Sequence, residues 1–202
     1  MTNLKRYINR STFLLVLIML SYSRMSFAEN DLQEIESMET VAPGTINLSI
    51  PMNKPPTEDE KYAIQSLLEN RFNVPKDMST LLSNQIADAS YMYEIAASIL
   101  IAVIKVESAF DPYAISHANA RGYTQVMPKW WDSETPYDLH LPEQNVLAGA
   151  FVLDKYRNRC GDIYCALKSY NIGITAYLAG ENLAAARKYI SKIMRAEDEV
   201  LL

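Results

Sequence analysis

Apolar residues recur at helical spacing along most of this chain. Ile64, Leu67 and Leu68 form a first short stripe, and Thr57 with Glu60 three residues on supplies the capping box that would start it. From residue 78 to 109 the pattern stays helical without a break. Leu81, Leu82, Ile86 and Ala89 mark one amphipathic stripe. The segment that follows, residues 95–106, is apolar nearly all round, interrupted only by Ser98 and Lys105. A helix apolar on every face is buried on every face. This run is shorter than the roughly 20 residues that a membrane span needs, so it predicts the central helix of a globular core. Asp111-Pro112 predicts its end, since Pro disfavours helix in the residue before it.

Residues 113–127 lose helical periodicity and carry Gly122, which predicts a loop with a short hairpin. Pro128 suits a helix start. After a loop holding Pro136 and Pro142, residues 143–158 read as a helix with Val146, Leu147, Ala150, Phe151 and Leu153. Another helix is expected near Ala166, a break at Asn171-Ile172-Gly173, and the last helices from about 176 to 194. Period-2 strands, internal repeats and a Gly-rich phosphate loop are not evident. The fold class is mainly α.

Charge and composition narrow the setting. The chain has 202 residues, 49% of them hydrophobic, enough for one domain with a real core. Lys5, Arg6 and Arg10 precede the apolar run FLLVLIML at 13–20, and Ser26-Phe27-Ala28 places small residues before Glu29. That order is the grammar of a secretory signal peptide over residues 1–28, and the run is too short for a stable membrane span. A periplasmic or secreted protein is expected. Residues 29–57 are acidic and polar, then rich in Pro, and read as an extended or disordered leader. The folded domain is expected over 58–202. Loss of Lys5, Arg6, Arg10 and Arg24 with the signal peptide takes the formal charge from −5 to −9. An acidic surface without a basic cluster argues against nucleic acid as partner and leaves a glycan open.

The two cysteines, Cys160 and Cys165, lie in CGDIYC. In an exported chain such a pair is a disulfide by default. His117 and His140 have no ligand spacing, so neither a metal nor another cofactor is expected.

Glu107 is the residue that asks for an explanation. Leu100, Val103 and Ile104 precede it on the same helical face. Apolar neighbours disfavour a carboxylate and raise its pKa, and an acid kept protonated near neutrality can protonate a leaving oxygen. The competing role is a Glu that merely pairs with Lys or Arg at a helix C-terminus.

Downstream motifs weigh on that choice. AVIKVESAFDPYAIS, 102–116, resembles the first motif of the lytic transglycosylase family, in which an apolar helix ends in Glu-Ser. GYTQVMP, 122–128, is similar to the family's Gly-x-x-Gln-x-Met-Pro, and SYNIG, 169–173, to its Ala-Tyr-Asn-x-Gly. Between them, Asn145 and Gly149 in NVLAGAFVLDKY match the usual linking segment. Order and spacing agree over about residues 80–195. Tyr123-Thr124 stand where the family often has Leu-Met, and Ser169 where it has Ala.

The resemblance implies a lysozyme-like, mostly helical domain with a small β element and a glycan-binding groove between lobes. It implies cleavage of the bond between N-acetylmuramic acid and N-acetylglucosamine in peptidoglycan, leaving 1,6-anhydro ends. Carried onto this chain, Glu107 is the general acid and then the base. Ser116 matches a serine that holds the N-acetyl group, and Gln125 a groove glutamine that bonds the sugar. Tyr170 matches the tyrosine beside the acid, with Asn171 and Gly173 shaping that wall. Met127 would pack along the groove and Tyr189 line it from the last helix. Trp130 and Trp131, at a helix start, read as buried hydrophobic area outside the site. No second carboxylate matches a catalytic position, which fits assistance by the substrate's own N-acetyl oxygen. The rivals are a lysozyme-type hydrolase, which needs that second carboxylate, and a peptidoglycan-binding assembly component without catalysis. The short chain also resembles the transglycosylases that open the wall for secretion or conjugation machines.

Overall fold

A computed structural model describes residues 54–202; the expected signal peptide and nearly all of the leader lie outside these residues. Among the described residues eight helices follow one another: α1 Glu58–Phe72, α2 Lys76–Tyr93, α3 Ala97–Ser108, α4 Pro128–Trp131, α5 Pro142–Cys160, α6 Ile163–Ile172, α7 Ile174–Leu178 and α8 Leu183–Leu201. The mainly α expectation holds. Among the described residues, no helix is long and apolar enough to cross a membrane.

The first helix starts where the sequence says it should. The Thr57 hydroxyl accepts from the Glu60 N–H, and the Glu60 carboxylate accepts from the Thr57 N–H at 2.6 Å. Ile64, Leu67 and Leu68 then face α2, to which Ser79 adds a hydrogen bond donated to Glu69 at 2.6 Å. Ser79, Ser83, Ala87 and Ser90 form a small-residue face on α2 that is buried, so neighbouring backbones can approach closely.

The unbroken pattern of residues 78–109 conceals a break. α2 stops at Tyr93, Glu94 turns left-handed at φ 49°, and α3 begins at Ala97. No Gly or Pro announces this turn. Its cause is distant in sequence: the guanidinium of Arg157, on α5, donates to the Glu94 carbonyl at 2.6 Å and the Tyr93 carbonyl at 2.7 Å. The orphan carbonyls of the α2 end are thereby satisfied.

α3 is the central helix that its all-round apolarity predicts, with Ala97, Ser98 and residues 100–104 buried. It ends earlier than Asp111-Pro112 suggests. Ala109 and Phe110 are both left-handed, at φ 50° and 67°. That costs about 1–2 kcal/mol per residue, and the compensation is visible: Phe110 turns inward, buried, with its ring 5.1 Å from that of Phe72.

α8 covers α3. Ala186, Tyr189, Ile193, Ala196 and Val200 form its buried stripe, and Ser98 donates to Glu197 at 2.8 Å while Lys105 pairs with Glu199. Cys160 and Cys165 are bonded, joining the last residue of α5 to the first turn of α6. A loop this small contributes about 2 kcal/mol by chain entropy.

The segment between α3 and α4 holds the β structure, two antiparallel bridges from Arg121, one to Ile115 and one to Val126. It is clamped onto α5 at Gly149, where an added Cβ would fall 2.6 Å from the Thr124 side chain. Overpacking of this kind costs about 1–3 kcal/mol. Gly149→Ala should therefore lower the denaturant midpoint without changing the slope of the unfolding curve.

Candidate active site

Glu107 lies in the last turn of α3, partly buried, just beyond the apolar run that fixes the helix. The Tyr189 hydroxyl, from the buried stripe of α8, donates to Glu107 Oε1 at 2.6 Å. Among the described residues Oε2 has no hydrogen-bond partner, and it is the oxygen left to carry a proton. Burial pushes the Glu107 carboxyl above its ordinary value, opposed by the Tyr189 hydrogen bond and then by the positive charge of Lys192. The desolvation expected from Leu100, Val103 and Ile104 is thus the dominant effect.

Tyr189 is only 6% exposed. It does not line a groove; it reaches the site through Glu107. Burial, then the charge of Glu107, raises its phenol well above the ordinary range, so it stays a neutral donor.

Tyr170, on α6, is held in the same way. Burial first and the charge of Glu107 second push its pKa far up, and its hydroxyl donates to the Thr124 carbonyl at 2.7 Å. That bond fixes the backbone immediately before Gln125. Gln125 is itself left-handed at φ 50°, and its Nε2 donates to the carbonyls of Ala114 and Gly122 at 3.0 and 2.9 Å. The amide nitrogen is committed to bracing the loop, while Oε1 has no partner among the described residues and can accept from a ligand.

The brace continues into α5. Asn145 Oδ1 accepts from the Thr124 N–H at 2.9 Å and from the Thr124 hydroxyl at 2.8 Å. Its Nδ2 donates to the carbonyls of Arg121 and Leu139, each at 3.0 Å. All four interactions stem from one fully buried amide.

A cleft of about 740 Å³ opens beside this arrangement. Gln125, Met127, Tyr170, Asn171 and Gly173 are on its walls. Glu107 is not among the lining residues; Tyr170 is what the two share. Ser116 is not brought there either. Its hydroxyl accepts from the Ala120 N–H at 3.0 Å and its carbonyl from the Asn119 N–H, so it shapes a turn.

The cleft also contains residues the sequence did not point to. Trp130 and Trp131 both line it; Trp131 packs against the cluster of Val126, Leu139, Ala148 and Val152, as read from the sequence, whereas Trp130 is 61% exposed. The pair on a one-turn helix was the available signal, since neighbouring helical residues point about 100° apart and a short surface helix tends to turn one of the two towards solvent. Glu134 and Glu181 line it as well, with Arg159. Carboxylates are therefore present in the cleft, although both are exposed, unlike Glu107.

An acid desolvated at the end of a core helix, oriented by a tyrosine and set beside a polar and aromatic cleft, is a group placed for proton transfer. The chain belongs to the lytic transglycosylases: the family model described as Transglycosylase SLT domain matches residues 84–195. Among similar proteins, a membrane-bound lytic murein transglycosylase C of Glaesserella parasuis is 35% identical over 108 residues, covering 44% of this chain and 30% of that protein. A transglycosylase of Enterobacteria phage PRD1 is 30% identical over 110 residues, covering 54% of this chain and 40% of that one. The solved structure of the 70 kDa soluble lytic transglycosylase of Escherichia coli aligns over 73% of this chain and 31% of that chain, with a TM-score of 0.47 and 17% identity. The chain thus spans well under half the length of the curated relatives it matches here.

Two substitutions test the local physics. Tyr189→Phe removes the hydrogen bond that lowers the Glu107 pKa. An acid needed in its protonated form then loses activity at a higher pH, so the descending limb of the pH–rate profile should move upward. Ser169, which stands where the family often has Ala, is fully buried and its Oγ has no partner among the described residues. A buried unsatisfied hydroxyl costs about 1–3 kcal/mol, so Ser169→Ala should raise the melting temperature and leave the pH profile alone.

Proposed function

We propose that this protein cleaves the β-1,4 bond between N-acetylmuramic acid and N-acetylglucosamine in peptidoglycan without adding water. The observation that carries the reading is Glu107: a carboxyl with its pKa raised by desolvation, anchored through Oε1 by Tyr189, with Oε2 unpartnered among the described residues. Protonated Oε2 gives its proton to the glycosidic oxygen as the C1–O bond breaks. The substrate's own N-acetyl oxygen stabilises the positive charge at C1 as an oxazolinium-like intermediate. Glu107, now a carboxylate, takes the proton of the muramyl C6 hydroxyl while that oxygen closes onto C1. The acid is regenerated and the product is a 1,6-anhydro end. Tyr170 and Tyr189 stay neutral throughout, and Gln125 with Asn171 supplies hydrogen bonds to the sugar.

The test is digestion of purified sacculi with fragment analysis by mass spectrometry. Anhydromuramyl ends are expected. Exclusively reducing ends would replace this reading with a lysozyme-type hydrolase, and binding without soluble release would replace it with a non-catalytic wall component.

Export to the periplasm or beyond is the second part of the proposal, supported by the basic and then apolar order of residues 1–28. Its check is the N-terminus of the mature protein, expected at Glu29. A wall-opening role for a secretion or conjugation machine is the finer assignment of that activity. Its test is loss of transfer or secretion, with normal growth, when the coding sequence is deleted.

A further inference from the structure

Trp130 presents to solvent an indole that the fold does not use. It is the third residue of α4, mostly exposed on the cleft wall. Trp131 does the packing for the pair: its ring meets Phe151 edge-on at 6.2 Å and Tyr156 at 5.6 Å. Those contacts pin α4, as do the bonds from the Trp130 N–H to the Met127 carbonyl and from the Asp132 N–H to the Pro128 carbonyl, both 3.0 Å. The neighbouring ring is therefore carried on a fixed support. Lys129 Nζ stands 4.7 Å from the centroid of Trp130, a cation–π contact that orients the indole by occupying one face.

The other face is what a ligand would meet. A pyranose has an apolar face of C–H bonds and a rim of hydroxyl and acetamido groups. An aromatic plane satisfies the first and hydrogen-bonding side chains the second. Here the rim partners stand on the same cleft: Gln125 with its free Oε1, Asn171, Thr175 and Arg159.

We propose that Trp130 is a stacking platform for one sugar ring of a peptidoglycan glycan strand, in a subsite that runs from Gln125 and Tyr170 to α4. This rests on the glycan reading of the cleft. It makes Trp130 a binding residue that contributes to affinity and to the minimum strand length, not to the bond-breaking step.

The experiment titrates chitotetraose, a soluble β-1,4-linked N-acetylglucosamine oligomer, into the full chain while indole fluorescence and its quenching by acrylamide are read. The chain has two tryptophans, so Trp131→Phe leaves Trp130 as the reporter. Saturable protection of that indole from acrylamide is expected. On sacculi, Trp130→Ala should raise KM about 10-fold, the size of one good aromatic contact, at unchanged kcat, and Trp130→Phe should recover most of it. If Trp131→Phe does not fold, the difference between wild type and Trp130→Phe gives the same signal. Unaltered quenching of Trp130 at saturating chitotetraose, or a wild-type KM in Trp130→Ala, overturns the platform. Absence of anhydro ends from wild-type digests overturns the cleavage reading instead, and protection of Trp130 would still stand as evidence of a sugar site.

Discussion

Glu107→Gln should abolish release of anhydromuropeptides while leaving a folded protein. The amide keeps the shape of the side chain and still accepts from the Tyr189 hydroxyl through its oxygen, but it has no proton to give to a glycosidic oxygen and cannot take one from the C6 hydroxyl. General acid-base help alone is worth about 10²–10⁴-fold, and here one group serves both steps, so the loss should lie at or beyond the upper end. Stability works in the opposite direction. A carboxyl whose folded pKa is raised binds its proton more tightly in the native state, so the native state loses stability as pH rises from the unfolded value through the folded one. Above that window the buried carboxylate opposes folding, and a neutral amide relieves it. Glu107→Gln should then melt no lower than wild type near neutral pH. Inactivity combined with an unchanged or raised melting temperature separates a chemical role from a structural one. Near-normal turnover in this variant would remove Glu107 from the mechanism.

Glu134 and Glu181 deserve the parallel substitution because the cleft contains them. Hydrolysis of the retaining or inverting kind requires a second carboxylate across the scissile bond. In the proposed route neither residue has a chemical step, so Glu134→Gln and Glu181→Gln should change KM more than kcat and leave the product ends anhydro.

What could be read in advance follows from how local each cause is. The Thr57–Glu60 capping box and the all-round apolarity of α3 act within a few residues, and both appear where expected. The motif residues Gln125, Met127, Tyr170 and Asn171 do meet at one cleft. The end of α2 could not be read, because its carbonyls are satisfied by Arg157 from another helix. The true end of α3 was hidden for a similar reason: Phe110 adopts a left-handed backbone to reach Phe72. Ser116 follows from its place after the Glu-Ser motif and Tyr189 from its place on the last helix; in the fold the first closes a turn and the second donates to the acid. A motif marks which side chains belong to a site; the hydrogen bonds show what each one touches.

Asn145→Ala should be the most damaging change away from the acid, in stability and activity together. One buried amide joins α5 to Thr124, Arg121 and Leu139 through four hydrogen bonds. Truncation leaves the Thr124 N–H and two carbonyls without these partners and removes the side chain that packs against Gly122, where a Cβ would stand 2.6 Å from the Asn145 amide. Each buried polar group left unsatisfied costs about 1–3 kcal/mol, so a loss of roughly 3–5 kcal/mol is expected in urea unfolding. The consequence for activity follows from the chain of contacts. Thr124 carries the carbonyl that Tyr170 binds, and Gln125 is the next residue, so a loosened Thr124 releases the cleft wall from α6. Asn145→Asp is the informative control. It keeps an acceptor for both Thr124 donors but turns a donor against the Arg121 and Leu139 carbonyls into a second acceptor, placing negative charge beside two carbonyl oxygens. If the site works through donation as well as acceptance, Asp should be at least as destabilising as Ala near neutral pH, and should recover as pH falls and the carboxyl gains a proton. An Asp variant as stable as wild type would show that the bonds to Arg121 and Leu139 contribute little, leaving Thr124 as the single point at which α5 holds the loop.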